Sequence, residues 1–236
     1  MPVMQDVEPT TPPGPASSQE ARTLEVRRLG VVNYEDGLAL QRSLVEDRRA
    51  GHIGDVLLLL QHPPVITLGV KGDGGRANII ATDARLAELG IAVHETGRGG
   101  DVTYHGPGQI VGYPILDLRP DRCDVHRYVR DVEEVMIRTC AGYGLTAGRI
   151  KGLTGAWVGA EKIGAIGVRI SRWITSHGFA FNVSTDLDHF RLIVPCGISD
   201  RGVTSLERAT GTRVSMTEAE DAIVRAFAAV FDRRVT

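Results

Sequence analysis

Gly155-Ala-Trp-Val-Gly159, Lys162-Ile-Gly-Ala-Ile-Gly-Val-Arg-Ile170 and Ile174-Thr-Ser-His-Gly-Phe-Ala-Phe-Asn-Val183 follow one another with only two or three residues between them. Short, largely apolar runs broken by glycine predict a meander of strands joined by tight, glycine-containing turns. Just before it, Asp124 opens the clearest helix signal in the chain. Val125, Val129, Val132, Met136 and Cys140 recur at helical spacing, and Gly142 and Gly144 end the pattern. Further out, Leu24–Leu29, Asp55–Gln61, Val65–Leu68 and Ile110–Leu118 read as strands, with His62-Pro63-Pro64 as a proline corner and Gly69 closing the third of them. Asn33 offers an N-cap to a helix carrying Leu40, Leu44 and Val45 on one face, and a short helix from about Asp83 is closed by Gly90. Thr217-Glu-Ala-Glu220 reads as the capping box of a last helix that buries Ile223, Phe227, Val230 and Phe231. Strands and helices intermingle with no internal repeat. The expected fold class is α+β (α/β): a single domain with a mostly antiparallel mixed sheet flanked by helices.

Composition bounds what such a domain does. Of 236 residues, 42% are hydrophobic and 24% charged, near the globular norm, while aromatics at 5% leave the core to aliphatic side chains. Twenty-seven basic against 29 acidic residues give a net charge of -2, which argues against a nucleic-acid partner. The longest aliphatic run, Val56 to Leu60, is too short to span a bilayer, and no signal peptide is visible, so no membrane partner is expected. Three cysteines are too few for a disulfide framework, which suggests a reducing, cytoplasmic setting. Residues 1–21 hold five of the eleven prolines and read as a disordered tail, leaving 22–236 as the domain.

Candidate chemistry starts with those thiols. Cys140 sits on the apolar stripe of the Asp124 helix, where a small hydrophobe is the default, and Cys123 lies in a polar loop beside Arg122 and Asp124. Cys196 follows Leu192-Ile-Val-Pro195 and precedes Gly197, a corner at a strand end that suits either a presented nucleophile or a buried thiol. Activation needs a base or a cation. The 27 basic residues include only three lysines, and one of them, Lys162, opens an apolar strand; its head either snorkels outward or is poised in a dry site. None of the seven histidines forms a metal-binding spacing with a neighbour, so no metal site is expected. The densest feature is Arg98-Gly-Gly-Asp-Val-Thr-Tyr-His105-Gly-Pro-Gly-Gln109. It lacks the Gly-Lys-Ser/Thr of a P-loop and the GxGxxG register of a dinucleotide site, yet clusters Arg, Tyr and His in a glycine-rich loop. Gly164, Ala165, Gly167, Gly178 and Ala180 are small enough to leave room for an apolar chain between strands.

Four of these blocks, Arg98 to Gln109, Lys162-Ile-Gly-Ala-Ile-Gly167, His177-Gly-Phe-Ala180 and Pro195-Cys-Gly-Ile-Ser199, occur in the order and spacing of the lipoyl(octanoyl) transferase family, which the chain resembles from about Val26 to Leu206. It departs from the family at Gly164, where alanine is frequent, and at Phe181, where leucine is usual; both bear on the shape of an acyl slot. The resemblance implies the fold of biotin and lipoate protein ligases. It implies a two-step transfer of octanoyl from acyl carrier protein, through a thioester on Cys196, to a lysine of the lipoyl domains of 2-oxoacid dehydrogenase and glycine-cleavage subunits. Lys162 would lower the thiol pKa and relay protons. Arg98, Gly99, Gly100, Asp101, Val102, Thr103, Tyr104, His105, Ala165, Ile166, Gly167, Gly178, Phe179 and Ala180 would bind the substrate. No cofactor is implied, because a thioester is already activated. An ATP-dependent lipoate- or biotin-type ligase and a non-catalytic carrier-protein binding module are the alternatives.

Overall fold

The computed structural model describes residues 22–70, 75–194 and 201–236. The expected tail, residues 1–21, lies outside them. Among the described residues, eleven strands and five α-helices succeed one another as β1 (Arg22–Val31), α1 (Tyr34–Ala50), β2 (Asp55–Gln61), β3 (Val65–Leu68), α2 (Asp83–Glu88), β4 (Ala92–Glu95), β5 (Thr103–His105), β6 (Gln109–Ile115), α3 (Val125–Gly142), β7 (Ala147–Ile150), β8 (Leu153–Val158), β9 (Glu161–Ser171), β10 (Ile174–Asn182), α4 (Leu206–Thr210), α5 (Met216–Phe231) and β11 (Arg233–Val235).

Eight strands form one sheet in the order β11-β1-β2-β6-β10-β9-β8-β7. Its pairings are antiparallel except β1 with β2 and β1 with β11, which run parallel. A second sheet, β4-β3-β5, was not anticipated: the runs around Pro63 and Pro64 belong to different sheets. The continuous aliphatic run of β2 fits burial on both faces. Leu57 and Leu59 enter a core with Tyr128, Val132 and Met136 of α3 and Ile223, Phe227 and Phe231 of α5. Val56, Leu58 and Leu60 pack under Leu44 of α1, with Leu40 and Val45 at its edge. A third cluster, Ile66, Leu68, Leu86, Ile91, Val102, Tyr104 and Ile193, lies against the small sheet. Each fully buried side chain of this kind contributes about 1.5–3 kcal/mol.

Three local expectations need correction. The β9–β10 turn contains no glycine: Arg172 and Trp173 both take positive φ, 51° and 66°, held there by the eight residue pairs of the flanking ladder. Asn33 occupies the N-cap of α1, but its side chain makes no capping bond. Helix α5 starts two residues early, with the Ser215 hydroxyl accepting from Glu218 N; Ser215 and Glu218 have the capping-box spacing assigned above to Thr217 and Glu220. Asp124 does cap α3, accepting from the amides of His126 and Arg127.

Candidate active site

Beside β9 and β10 lies a cavity of about 620 Å³. Its lining comes from chain segments far apart in sequence: the 98–105 loop and strand, residues 165–168 of β9, residues 177–180 of β10, and Lys162. The alternation of β9 and β10 sets Ala165 opposite Ala180 and Gly167 opposite Gly178, so one face of the hairpin carries only hydrogens and methyls there. These glycines serve close packing more than empty space. A Cβ on Gly164 would lie 2.3 Å from Met136 Sδ, one on Gly167 2.9 Å from Arg98 Cδ, and one on Gly178 2.1 Å from the Gly112 carbonyl oxygen. Strand β9 therefore meets α3 at Gly164, and the Arg98 side chain lies across Gly167.

A buried polar chain runs along this region. Arg98 donates from Nη2 to the Thr67 carbonyl at 2.7 Å and to Thr67 Oγ1 at 2.8 Å. The Thr67 hydroxyl has one proton, and His105 Nε2 lies 3.5 Å from it. His105 Nδ1 is 2.7 Å from Gln109 Oε1, and Gln109 Nε2 donates to Asn182 Oδ1 at 2.9 Å. Asn182 Nδ2 donates in turn to the Thr204 carbonyl at 3.0 Å. Because the Gln109 amide nitrogen is donating, its oxygen must accept, which puts the His105 proton on Nδ1 and the lone pair on Nε2. Burial, then the neighbouring His62, pushes the His105 pKa down to about 3, and the imidazole is neutral. His177 is pushed down to about 4 by burial and by Arg98 and Arg169. Its φ of +54° breaks the alternation of β10 and brings the ring to the cavity, while its amide donates to Gln41 Oε1. Burial also raises Tyr34 and takes Tyr113 well above the usual phenol. All these rings stay uncharged near neutral pH, leaving Arg98, with Arg169 beside His177, as their charged neighbours.

Lys162 reaches the cavity because of a register shift. Trp157 pairs with Lys162 but Ala156 pairs with Gly164, so Ile163 is an extra residue. Without that bulge, alternation from Ala165 would aim Ile163 at the cavity and Lys162 into the core; with it, Ile163 is fully buried in the core and Lys162 lines the cavity. The Lys162 backbone is held by the 202–204 segment, its N–H donating to Gly202 O and its carbonyl accepting from Thr204 N.

Of the residues expected to bind substrate, Arg98, Gly99, Gly100, Asp101, Val102, Thr103, His105, Ala165, Ile166, Gly167, Gly178, Phe179 and Ala180 line this one cavity. Tyr104 does not. Strand alternation turns it into the third core cluster, where its hydroxyl bonds His189 Nδ1 at 2.8 Å. Cys196 and its neighbours Pro195 to Asp200 lie outside the described residues. Sequence reading missed Tyr34, Tyr113 and Phe190 at the cavity wall, and Val125 and Val129 of α3, which it had given to the core stripe. Their positions depend on helix and strand placement; the half exposure of Val125 has no counterpart in the periodicity. Among the described residues no group of three His, Cys, Asp or Glu gathers to hold a metal ion, and no helix is long and apolar enough to cross a membrane.

Comparison with known proteins gives this cavity a context. Residues 33–228 match the lipoyl protein ligase A/B catalytic domain. An octanoyltransferase of Chloroflexus aggregans is 52% identical over 216 residues, 90% of this chain and 97% of that one. The chain belongs to the octanoyltransferase family. Another octanoyltransferase, from Myxococcus xanthus, is 58% identical over 89% of this chain, which spans 60% of that longer relative. Among solved structures, the bipartite lipoate protein ligase of Thermoplasma acidophilum shares the fold with a TM-score of 0.67 at 18% identity, over 90% of this chain and 86% of that one. Biotin protein ligase of Aquifex aeolicus shares it with a TM-score of 0.53 at 13% identity, over 89% and 70%. The fold is thus the one expected from the resemblance, and the enzyme is an acyltransferase. In this chain the motif blocks that carry the resemblance converge: three of the four meet at one cavity, and the fourth contains Cys196.

Proposed function

We propose that the octanoyl group passes through Cys196 of this chain. A thiolate at Cys196 attacks the carbonyl carbon of octanoyl thioester on acyl carrier protein. The carbon–sulfur bond to the carrier breaks, and the departing carrier thiolate takes a proton from the Lys162 ammonium. An acceptor lysine then attacks the acyl-cysteine as a neutral amine. The new amide bond forms, the Cys196 thiolate leaves, and the proton lost by the amine returns to Lys162. Arginine stays charged and could not take that proton back. The acceptors in this reading are lipoyl domains of 2-oxoacid dehydrogenase and glycine-cleavage subunits, the donor is octanoyl-acyl carrier protein, and the setting is the cytoplasm.

The observation that carries this reading is the convergence of Arg98–His105, Ala165–Gly167 and Gly178–Ala180 with Lys162 on one cavity. Covalent connectivity adds to it: Cys196 follows Val194 by two residues and precedes Gly202 by six, and Gly202 accepts from Lys162 N. Mixing the protein with octanoyl-acyl carrier protein, without ATP, and mapping the adduct by mass spectrometry tests it. An octanoyl thioester on Cys196 is the expected result. An absolute ATP requirement points to a ligase instead, and no adduct with intact binding points to a carrier-protein binding module. The domain boundary is a proposal of the same standing: removing the proline-rich residues 1–21 leaves Tm and turnover unchanged, and a large fall in Tm would show that they dock.

A further inference from the structure

The charged head of Lys162 has a platform that the motif blocks do not include. Its Nζ lies over the Trp157 ring, 4.8 Å from the centroid, within the range of a cation–π contact. Trp157 is directly opposite Lys162 on the β8–β9 ladder, beside the bulge at Ile163 that turns the lysine to the cavity. The ring itself is fixed: Trp157 is 3% exposed and its indole N–H donates to the Leu153 carbonyl at 3.3 Å. Gly155, with φ +127°, lets the Gly164 carbonyl approach closely, since a Cβ there would lie 2.5 Å from its oxygen; the Lys162 stem runs beside the same position, with Cε 3.4 Å from it. Two strand positions on, a π-face meets the lysine head.

From this geometry we infer that Trp157 is a positioning residue for Lys162: its indole face holds the ammonium in the charged form at the end of the acyl cavity. The inference rests on the reading of Lys162 as partner of the Cys196 thiol and extends it to a residue outside the four motif blocks. Other charges belong in the account. Arg201 Cζ lies 5.9 Å from the same ring centroid and shares the platform, whereas Glu161, next to Lys162 in sequence, is 3.7 Å from the Arg208 guanidinium. The ring therefore favours positive charge at this corner beyond Lys162 alone. An aliphatic residue of similar bulk would fill the volume but offer no such face.

The test reads the pH dependence of Cys196 alkylation in the 236-residue chain with Cys123→Ala as background. Trp157→Leu is expected to raise the apparent thiol pKa by about one unit and lower the rate of transfer about tenfold with little change in KM for the carrier substrate. Trp157→Phe and Trp157→Tyr, which keep a π-face, are expected to fall between Leu and wild type. In a Lys162→Met background, Trp157→Leu should add no further shift. Equal profiles for the Leu, Phe, Tyr and wild-type chains would overturn the inference. So would a Trp157→Leu shift that persists without the lysine. If Trp157→Leu does not fold, the graded Phe and Tyr profiles decide alone. Failure of the underlying reading is separable: then Lys162→Met by itself leaves the thiol profile unmoved.

Discussion

The β9–β10 hairpin presents two faces built from alternate residues of the same strands, and they have opposite characters. On one, Phe179 and Phe181 enter the core with Met136, Leu57 and Ile110, and the place of the missing Gly164 side chain is taken by Met136. On the other, Ala165, Gly167, Gly178 and Ala180 leave a low surface that opens to the cavity and to the polar chain from Arg98 to Asn182. Ile166 and Phe179 touch the cavity as well as the core. The difference comes from side-chain volume at period two, not from backbone, and a single bulge at Ile163 exchanges the faces for Lys162. Filled and open layers therefore sit back to back, and what breaks one need not break the other.

The largest expected effect belongs to the proposed reactive pair, Cys196 and Lys162. Cys196→Ser abolishes transfer, because a serine hydroxyl is a far weaker nucleophile at neutral pH, while Tm stays near wild type. Lys162→Arg keeps part of any thiol activation yet transfers poorly, because arginine cannot accept the amine proton. Rates with octanoyl-acyl carrier protein and a lipoyl domain check both. Wild-type turnover by Lys162→Arg would falsify the relay role and move it to a histidine, with His105 and His177 the first to test.

Adjacent residues on opposite faces give the next contrast. Ala165→Leu adds volume to the cavity and is expected to cut octanoyl transfer at least tenfold, with stability changed by under about 1.5 kcal/mol. Gly164→Ala places a methyl against Met136 and is expected to cost about 1–3 kcal/mol in denaturant melts while turnover per folded molecule holds. If Ala165→Leu transfers octanoyl like wild type, the open face is not the acyl site.

These two faces also mark what the sequence could tell. Strand positions were legible where apolar runs meet glycine or proline, and β2, β3, β9 and β10 fall within a residue or two of expectation. Small residues at 165, 167, 178 and 180 announced the open face because volume is a property of the residue itself. What escaped is what depends on pairing. The Ile163 bulge, the parallel β1 pairings and the second sheet are relations between strands rather than properties of one, and none leaves a signal in its own run. Tyr104 was drawn into the site by its motif, although alternation between Thr103 and His105 turns it to the core. Asn182 falls in the expected strand Ile174–Val183, but its bonds to Gln109 and Thr204 depend on the β6–β10 register.

A pH titration separates the faces by another route. His105, near 3, and His177, near 4, have folded pKa values far below the unfolded value of about 6.5. Both groups favour the fold when neutral, so their contribution is complete above pH 6.5 and is lost progressively as pH falls toward 4 and then 3. Carboxylates lowered by ion pairs, such as Glu134, add their losses only below about 4.5. Glu220, raised by burial, works in the opposite sense. Between pH 6.5 and 5 the decline in unfolding free energy should flatten in His105→Gln. An unchanged slope would mean that the imidazole is protonated in the folded state.

The smallest effects are expected from the two thiols that lie away from the cavity, and they contrast a core position with a surface one. Cys140 is fully buried on α3 among Met136 and the α5 side chains, and burial pushes its thiol up to about 12. It is a hydrophobe there, not a nucleophile. Cys140→Ala removes one sulfur from a packed site and should cost about 1 kcal/mol of stability with turnover intact, a deletion smaller than a Leu→Ala change. Cys123 is exposed, and its Sγ lies 3.7 Å from the Leu118 carbonyl oxygen. Cys123→Ala should fall within about 0.5 kcal/mol of wild type, as surface changes do, and remove an alkylation site without touching transfer. Loss of octanoyl transfer in either variant would place chemistry on the filled side of the sheet or on its loops, and the separation of the two faces would have to be abandoned.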